Sequence, residues 1–159
     1  MNDLYHYFEP VELLHPAISP IGLESDFGQN ICIHREKDKP NLNDSTIFLL
    51  GTANSKESNE IRRHLYALGG MEGLDKVVDL GNFRNGKTQA DTRKGFEDVL
   101  FELGKNNKLI VILGGHTEDI GLIIASLSRL EHPINLGLIS PDLHLVSNPE
   151  DIQGSYLNR

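Results

Sequence analysis

The chain has one cysteine, Cys32, among 159 residues. That leaves no pair for an internal disulfide and suits a reducing compartment. Cationic clusters are missing too. The 15 lysines and arginines are scattered among 23 acids, giving a net charge of −8, which argues against non-specific binding to nucleic acid. No apolar run approaches the ~20 residues needed to span a bilayer. Residues 1–9 are acidic and aromatic, without the charged and apolar regions of a signal peptide. There is no internal repeat and no low-complexity tract. These absences describe a cytoplasmic chain with neither nucleic acid nor membrane as partner.

What is present, 38% hydrophobic and 24% charged residues, suits one α/β domain with a real core. Residues 1–45 read as an irregular N-terminal arm. Pro10, Pro16, Pro20 and Pro40 limit helix there to short pieces such as 11–14. Residues 30–36 contain a β-branched patch that suits an edge strand, and residues 37–45 a polar loop. Tyr5, Tyr7 and Phe8 are suited to docking the arm, and Cys32 to serving as a small buried hydrophobe.

From Thr46 to the end, residues 46–159, strands and helices alternate. A strand over 46–50 ends at Gly51. Ser58 is placed to cap a helix that turns Ile61, Leu65 and Leu68 inward and stops at Gly69-Gly70. A second strand over 76–80 closes at Gly81-Asn82. Thr88 or Asp91 can cap a helix whose stripe is Phe96, Val99, Leu100 and Leu103. Residues 109–113 form a third strand, a third helix turns Ile120, Ile123, Ile124, Leu127 and Leu130 inward, and 134–139 make a fourth buried strand. The expected fold is α/β, three layers around a mostly parallel sheet of four or five strands. The chain continues past Pro141 with no helix to cover the fourth strand, so it reads as the front half of something longer.

The richest local signal is Gly114-Gly115 followed by His116, Thr117, Glu118 and Asp119. It sits where a strand hands over to a helix, the position at which open α/β sheets bind ligands. The glycines suit either an anion cradle at a helix N-terminus or a tight turn that needs glycine. Glu118 and Asp119 suit a helix N-terminus electrostatically. His64 reads as a surface or boundary residue.

The order of motifs resembles the ureohydrolases, the family of arginase, agmatinase and formimidoylglutamase. Residues 47–51 with 60–63 resemble its opening strand and "IR…L" helix, and Asp79-Leu-Gly-Asn82 its "D-x-G-D" turn. Residues 113–118 resemble "GGDHS", and 139–144 stand where "DAHxD" would be. The stretch Asp79-Leu-Gly-Asn82, Gly86, Thr88 and Asp91 resembles the formimidoylglutamase-like branch. The resemblance implies an arginase-like N-terminal half, and a family chemistry in which two manganese ions activate water against a guanidino or formimino carbon.

Without gaps, the histidine of "GGDHS" falls on Thr117, and the three ligands of "DAHxD" fall on Ser140, Asp142 and His144. Thr117 and Ser140 are poor ligands for such ions, so these are vestigial metal positions. His116, Asp119, Asp142 and His144 are the remaining metal candidates, and two His with two Asp suffice for a tetrahedral zinc site. The alternative is that His116 is a turn residue and Asp142 and His144 are solvated loop side chains. The expectation is an arginase-like domain that has lost most metal ligands, carries no catalytic residue or cofactor of its own, and self-associates or pairs with a missing C-terminal half. The competing expectation is an N-terminal fragment of a metal-dependent hydrolase acting on linear C–N bonds.

Overall fold

The computed structural model describes residues 2–12, 27–53, 55–69, 74–105, 108–115, 117–131 and 133–139. Its strands are β1 (Phe8–Glu9), β2 (Cys32–Ile33), β3 (Ile47–Gly51), β4 (Val77–Phe83) and β5 (Leu109–Leu113). They form one sheet in the order β1-β4-β3-β5, with β2 also on β4. Strands β2, β3 and β5 run parallel to their partners, and only β1 is antiparallel. Four helices accompany them: α1 (Phe27–Asn30), α2 (Ser55–Tyr66), α3 (Gln89–Gly104) and α4 (Thr117–Leu127).

Strand periodicity divides the core between two faces. Phe48, Leu50, Val78 and Leu80 point to one side, against Phe96, Val99, Leu100 and Leu103 of α3 and the half-buried Leu122, Ile123 and Leu127 of α4. Leu49 and Val77 point to the other, against Tyr66 of α2 and Phe27 of α1. Burial on both faces is why the strands read as continuous apolar runs, and the result is the expected α/β/α sandwich. No helix among the described residues is long and apolar enough to cross a membrane.

Helix α3 matches its sequence signals closely. Thr88 accepts a hydrogen bond from the Asp91 backbone N–H, and the Asp91 carboxylate accepts one from the Thr88 N–H. This reciprocal cap satisfies two otherwise orphaned donors. The arm docks through Tyr5 and Phe8, both buried, and the edge strand of residues 30–36 proves to be the two-residue β2. Cys32 is half-buried, and His64 is exposed.

Several sequence expectations fail, among them an inward Ile124 on α4, which is exposed. Helix α2 does not turn Ile61 and Leu68 inward, because both are exposed. Its fully buried residues are Ser58, Arg62 and Tyr66, at i, i+4 and i+8, so its inner face is largely polar. Ser58 does not cap the helix, which begins at Ser55. Strand β4 does not close at Gly81-Asn82 but runs on to Phe83 through a bulge. Leu49 pairs with Asp79 and Gly51 with Asn82, so β4 spends three residues where β3 spends two. Finally, residues 133–139 form no strand, and Ile134, Leu136, Leu138 and Ile139 are exposed. Their alternation supplies an apolar face, but among the described residues no strand pairs with them, and β-propensity counts little without a pairing edge.

Gly81 makes the bulge possible. Its φ is +95°, and a Cβ there would lie 1.9 Å from the Glu9 carbonyl oxygen. Beyond it, Phe83 pairs with Phe8 and the Arg84 N–H donates to the Tyr7 carbonyl at 2.8 Å. We expect Gly81→Ala to cost about 2 kcal/mol or more through positive-φ strain and displacement of β1. Thermal unfolding checks this, with a drop of roughly 5 °C expected for a domain of this size. An unchanged melting temperature would show that the bulge tolerates a side chain.

Candidate functional site

The polar face of α2 has its counterpart on β4. The Arg62 and Asp79 side chains have no solvent exposure and meet as a bidentate pair, Nε to Oδ2 at 2.8 Å and Nη2 to Oδ1 at 2.9 Å. The other guanidinium hydrogens go to the Gly81 carbonyl (3.0 Å), Asn82 Oδ1 (2.5 Å) and Asn59 Oδ1 (3.3 Å). Five N–H groups thus have acceptors, which is all that arginine possesses. Asp79 also accepts from the Tyr66 hydroxyl at 2.7 Å and the Gly81 N–H at 2.9 Å. With the two bonds from Arg62, its oxygens are fully used.

Burial and then the charge of Asp79 push the Tyr66 phenol well above its ordinary range, so its hydroxyl remains a donor. Burial also opposes the Arg62 charge, but the hydrogen bond to Asp79 and its charge outweigh that, and the guanidinium holds its proton more tightly than usual.

This network fixes the carboxyl ends of β3 and β4 beneath α2. The end of β5 is tied in by the Leu113 carbonyl, which accepts from the buried Ser58 hydroxyl at 2.7 Å and from the Thr52 N–H at 3.3 Å. Gly114 and Gly115 follow with φ of +74° and +109°. A Cβ on Gly115 would lie 2.9 Å from Asp119 Oδ2 and 3.0 Å from Thr52 Cγ2. The tight-turn reading of the two glycines therefore has a direct steric reason.

Between these strand ends and the helices lies a crevice. One lobe, about 170 Å³, is bounded by Thr52 and Ala53 after β3 and by Phe83 at the end of β4. Phe96 of α3 and Leu122 of α4 complete an apolar wall, and Thr92, Arg93 and Asp119 also line it. A second lobe, about 410 Å³, is lined by the 85–89 loop with Lys87 and shares Thr92, Arg93 and Asp119. The crevice thus lies at the carboxyl ends of the parallel strands β3 and β4, a position at which open α/β sheets bind ligands. Thr52 is buried, and its Oγ1 has no hydrogen-bond partner among the described residues.

Of the sequence's metal candidates, the structure describes only Asp119, in the first turn of α4, where it lines both parts of the crevice. His116, Asp142, His144 and Ser140 lie outside the described residues, and for Thr117 only its backbone, at the start of α4, is described. No three His, Cys, Asp or Glu side chains among the described residues are grouped so as to hold a metal ion. Among the described residues the crevice lining carries one carboxylate, Asp119, and two exposed cations, Lys87 and Arg93, too few oxygen or imidazole donors by themselves for a hard divalent ion. Sequence reasoning missed Thr52, Thr92 and Arg93 as site residues. It quoted Arg62 and Asp79 within separate motifs without joining them.

A crevice at the strand ends of a mostly parallel α/β sheet defines a broad class of ligand-binding and catalytic folds. Comparison with known proteins narrows it. The formimidoylglutamase of Photorhabdus laumondii is 26% identical over 141 residues, which cover 87% of this chain and 39% of the relative. The chain therefore spans about two fifths of the curated relative it matches. No protein-family model and no solved structure matches it. The similarity agrees with the ureohydrolase resemblance at the level of the family.

Two substitutions test the architecture. Arg62→Met strands a buried Asp79 carboxylate and should cost about 3–5 kcal/mol; adding Asp79→Asn should recover part of that loss. Urea unfolding reads both, and a single-variant cost below about 1 kcal/mol would mean the pair does not hold the fold. Thr52→Val removes an unpaired buried hydroxyl at nearly constant volume, and should raise stability by about 1 kcal/mol. A destabilised Val variant would reveal that the hydroxyl has a partner.

Proposed function

We propose that the chain is an arginase- or formimidoylglutamase-like half-domain that keeps the α/β scaffold and its strand-end crevice but has lost hydrolysis. The observation that carries this reading is that, among the described residues, the crevice lining holds one carboxylate, Asp119, with two cations, Lys87 and Arg93, where the family's chemistry needs carboxylates and imidazoles around paired metal ions. The sequence adds Thr117 and Ser140 at positions where the family pattern has ligands. The 141-residue similarity to a formimidoylglutamase supports the arginase-like part of this reading. In this reading the chain is cytoplasmic, and acts through binding, through association with another copy, or with a separate C-terminal half.

A second reading has one specific observation in its favour. The chain corresponds to 39% of the relative's length, so it also suits the N-terminal part of a metal-dependent hydrolase of linear C–N bonds whose remaining ligands lie elsewhere.

One experiment separates the two. The purified chain is incubated with manganese or zinc, desalted, and analysed for bound metal. It is then assayed for ammonia, urea or formamide release from formimidoylglutamate and agmatine. We expect no stoichiometric metal and no release above the protein-free blank. About two manganese ions per chain together with turnover would overturn the non-catalytic reading.

A further inference from the structure

The two edges of the sheet are built differently. On the far side of β4 the edge is broken into the two-residue strands β1 and β2, and very short edge strands resist pairing with another chain. The opposite edge is the five-residue β5, which among the described residues pairs with β3 alone. Leu109 is 58% exposed, and Ile110, Val111 and Ile112 are half-buried, whereas β4 is buried throughout. No charged residue stands between Leu109 and Gly115. The flanking Lys108 does not guard the edge, because its Nζ is turned back to the Asn43 and Ser45 carbonyls. Strand β5 therefore lacks the charge, proline and bulge that keep an edge strand from pairing.

We propose that the free edge of β5 is a dimer interface, paired antiparallel with β5 of a second copy about a two-fold axis at Val111. Two independent features point to this partner and register. The strand reads Leu-Ile-Val-Ile-Leu, the same in both directions. Antiparallel pairing centred on Val111 sets Leu109 against the partner's Leu113, Ile110 against the partner's Ile112, and Val111 against its own counterpart. Each side chain then meets one of like kind on the same sheet face, and the surface is self-complementary, as a two-fold axis requires. The backbone phase agrees. The Leu109 N–H donates to the Thr46 carbonyl, and the Leu113 carbonyl accepts from the Thr52 N–H. Odd-numbered residues of β5 thus turn their polar groups to β3, and Ile110 and Ile112 turn theirs outward. In this register those two residues form the hydrogen-bonded pairs, each exchanging N–H and C=O with its partner. Residues 134–139 are a poorer occupant of the edge, since Asn135 and Gly137 are of types depleted in strands. Pairing consumes the long edge and leaves only the short ones outside, so assembly closes at two copies. The self-association proposed above thereby gains a surface, one that does not depend on whether hydrolysis is lost.

The test is analytical ultracentrifugation of the full chain without added metal, over a series reaching high micromolar concentrations. We expect a monomer–dimer equilibrium and no larger species. Leu109→Lys adds a gatekeeping charge at an already exposed position and should weaken the dimer about tenfold or more, while circular dichroism shows the chain still folded. Register is read by oxidation with diamide in a Cys32→Ser background. Val111→Cys lies on the axis, where non-hydrogen-bonded partners stand ~4.5 Å apart at Cα, within disulfide reach, and should give a covalent dimer. Leu109→Cys lies roughly 13 Å from its symmetry mate along the ladder and should give none. Combining Ile134→Ser, Leu136→Ser and Leu138→Ser should leave the dimer intact. A chain that stays monomeric or forms larger species, a dimer that resists Leu109→Lys, cross-linking at residue 109 but not at 111, or a dimer lost in the triple serine variant would each overturn the proposal. A metal-loaded, active chain that still dimerises in this way would overturn only the non-catalytic reading.

Discussion

The architecture depends on a buried ion pair whose hydrogen-bonding capacity is fully used. Arg62 enters from a helix and Asp79 from the middle of a strand, and each would be prohibitively costly to bury alone. Together with Asn59, Tyr66, Asn82 and the backbone of Gly81 they leave no donor or acceptor over. Hydrophobic packing on the other sheet face is broad and tolerant. This network is directional, and it admits one register of α2 over the sheet. A bidentate guanidinium that also reaches a bulge carbonyl cannot be satisfied after a slip of one residue.

The bulge and the pair are parts of one device. The extra residue in β4 brings the Gly81 carbonyl and Asn82 side chain towards Arg62, and it re-aims the strand so that Phe83 reaches both β1 and the crevice wall. Gly51 completes the fit, since a Cβ there would lie 2.1 Å from Asn82 Oδ1. The crevice is thus bordered by an unusually rigid floor. Its mouth is built differently, from long cationic side chains on a loop and a helix start, where adjustment is cheap.

Much of the framework was legible in the sequence. Strands β3 and β5 declare themselves by apolar runs ended by glycine, and α3 by its cap and its stripe of Phe96, Val99, Leu100 and Leu103. Helix α2 was misread because amphipathic counting sends polar residues outward, and here Ser58, Arg62 and Tyr66 point in. The correction was present in the letters, since an acid, Asp79, interrupts a run of buried strand residues and demands a buried cation. Pairing it with Arg62 needs spatial knowledge that periodicity does not carry. The sequence pointed to the Gly114-Gly115 turn, whereas the crevice lining of Thr52, Arg93 and Lys87 comes from three segments that only the fold brings together.

Strand β1 has a consequence for how the chain acquires its structure during synthesis. Its partner lies some seventy residues downstream, since Phe8 pairs with Phe83 and Glu9 with Asn82. Residues 8–9 therefore have no docking place until β4 has been synthesised. Through that interval Tyr5 and Phe8 travel as exposed aromatics, and the far edge of β4 stays open. Strand β1 is thus a late clasp on the sheet, and its docking takes two aromatics and an open strand edge out of solvent together.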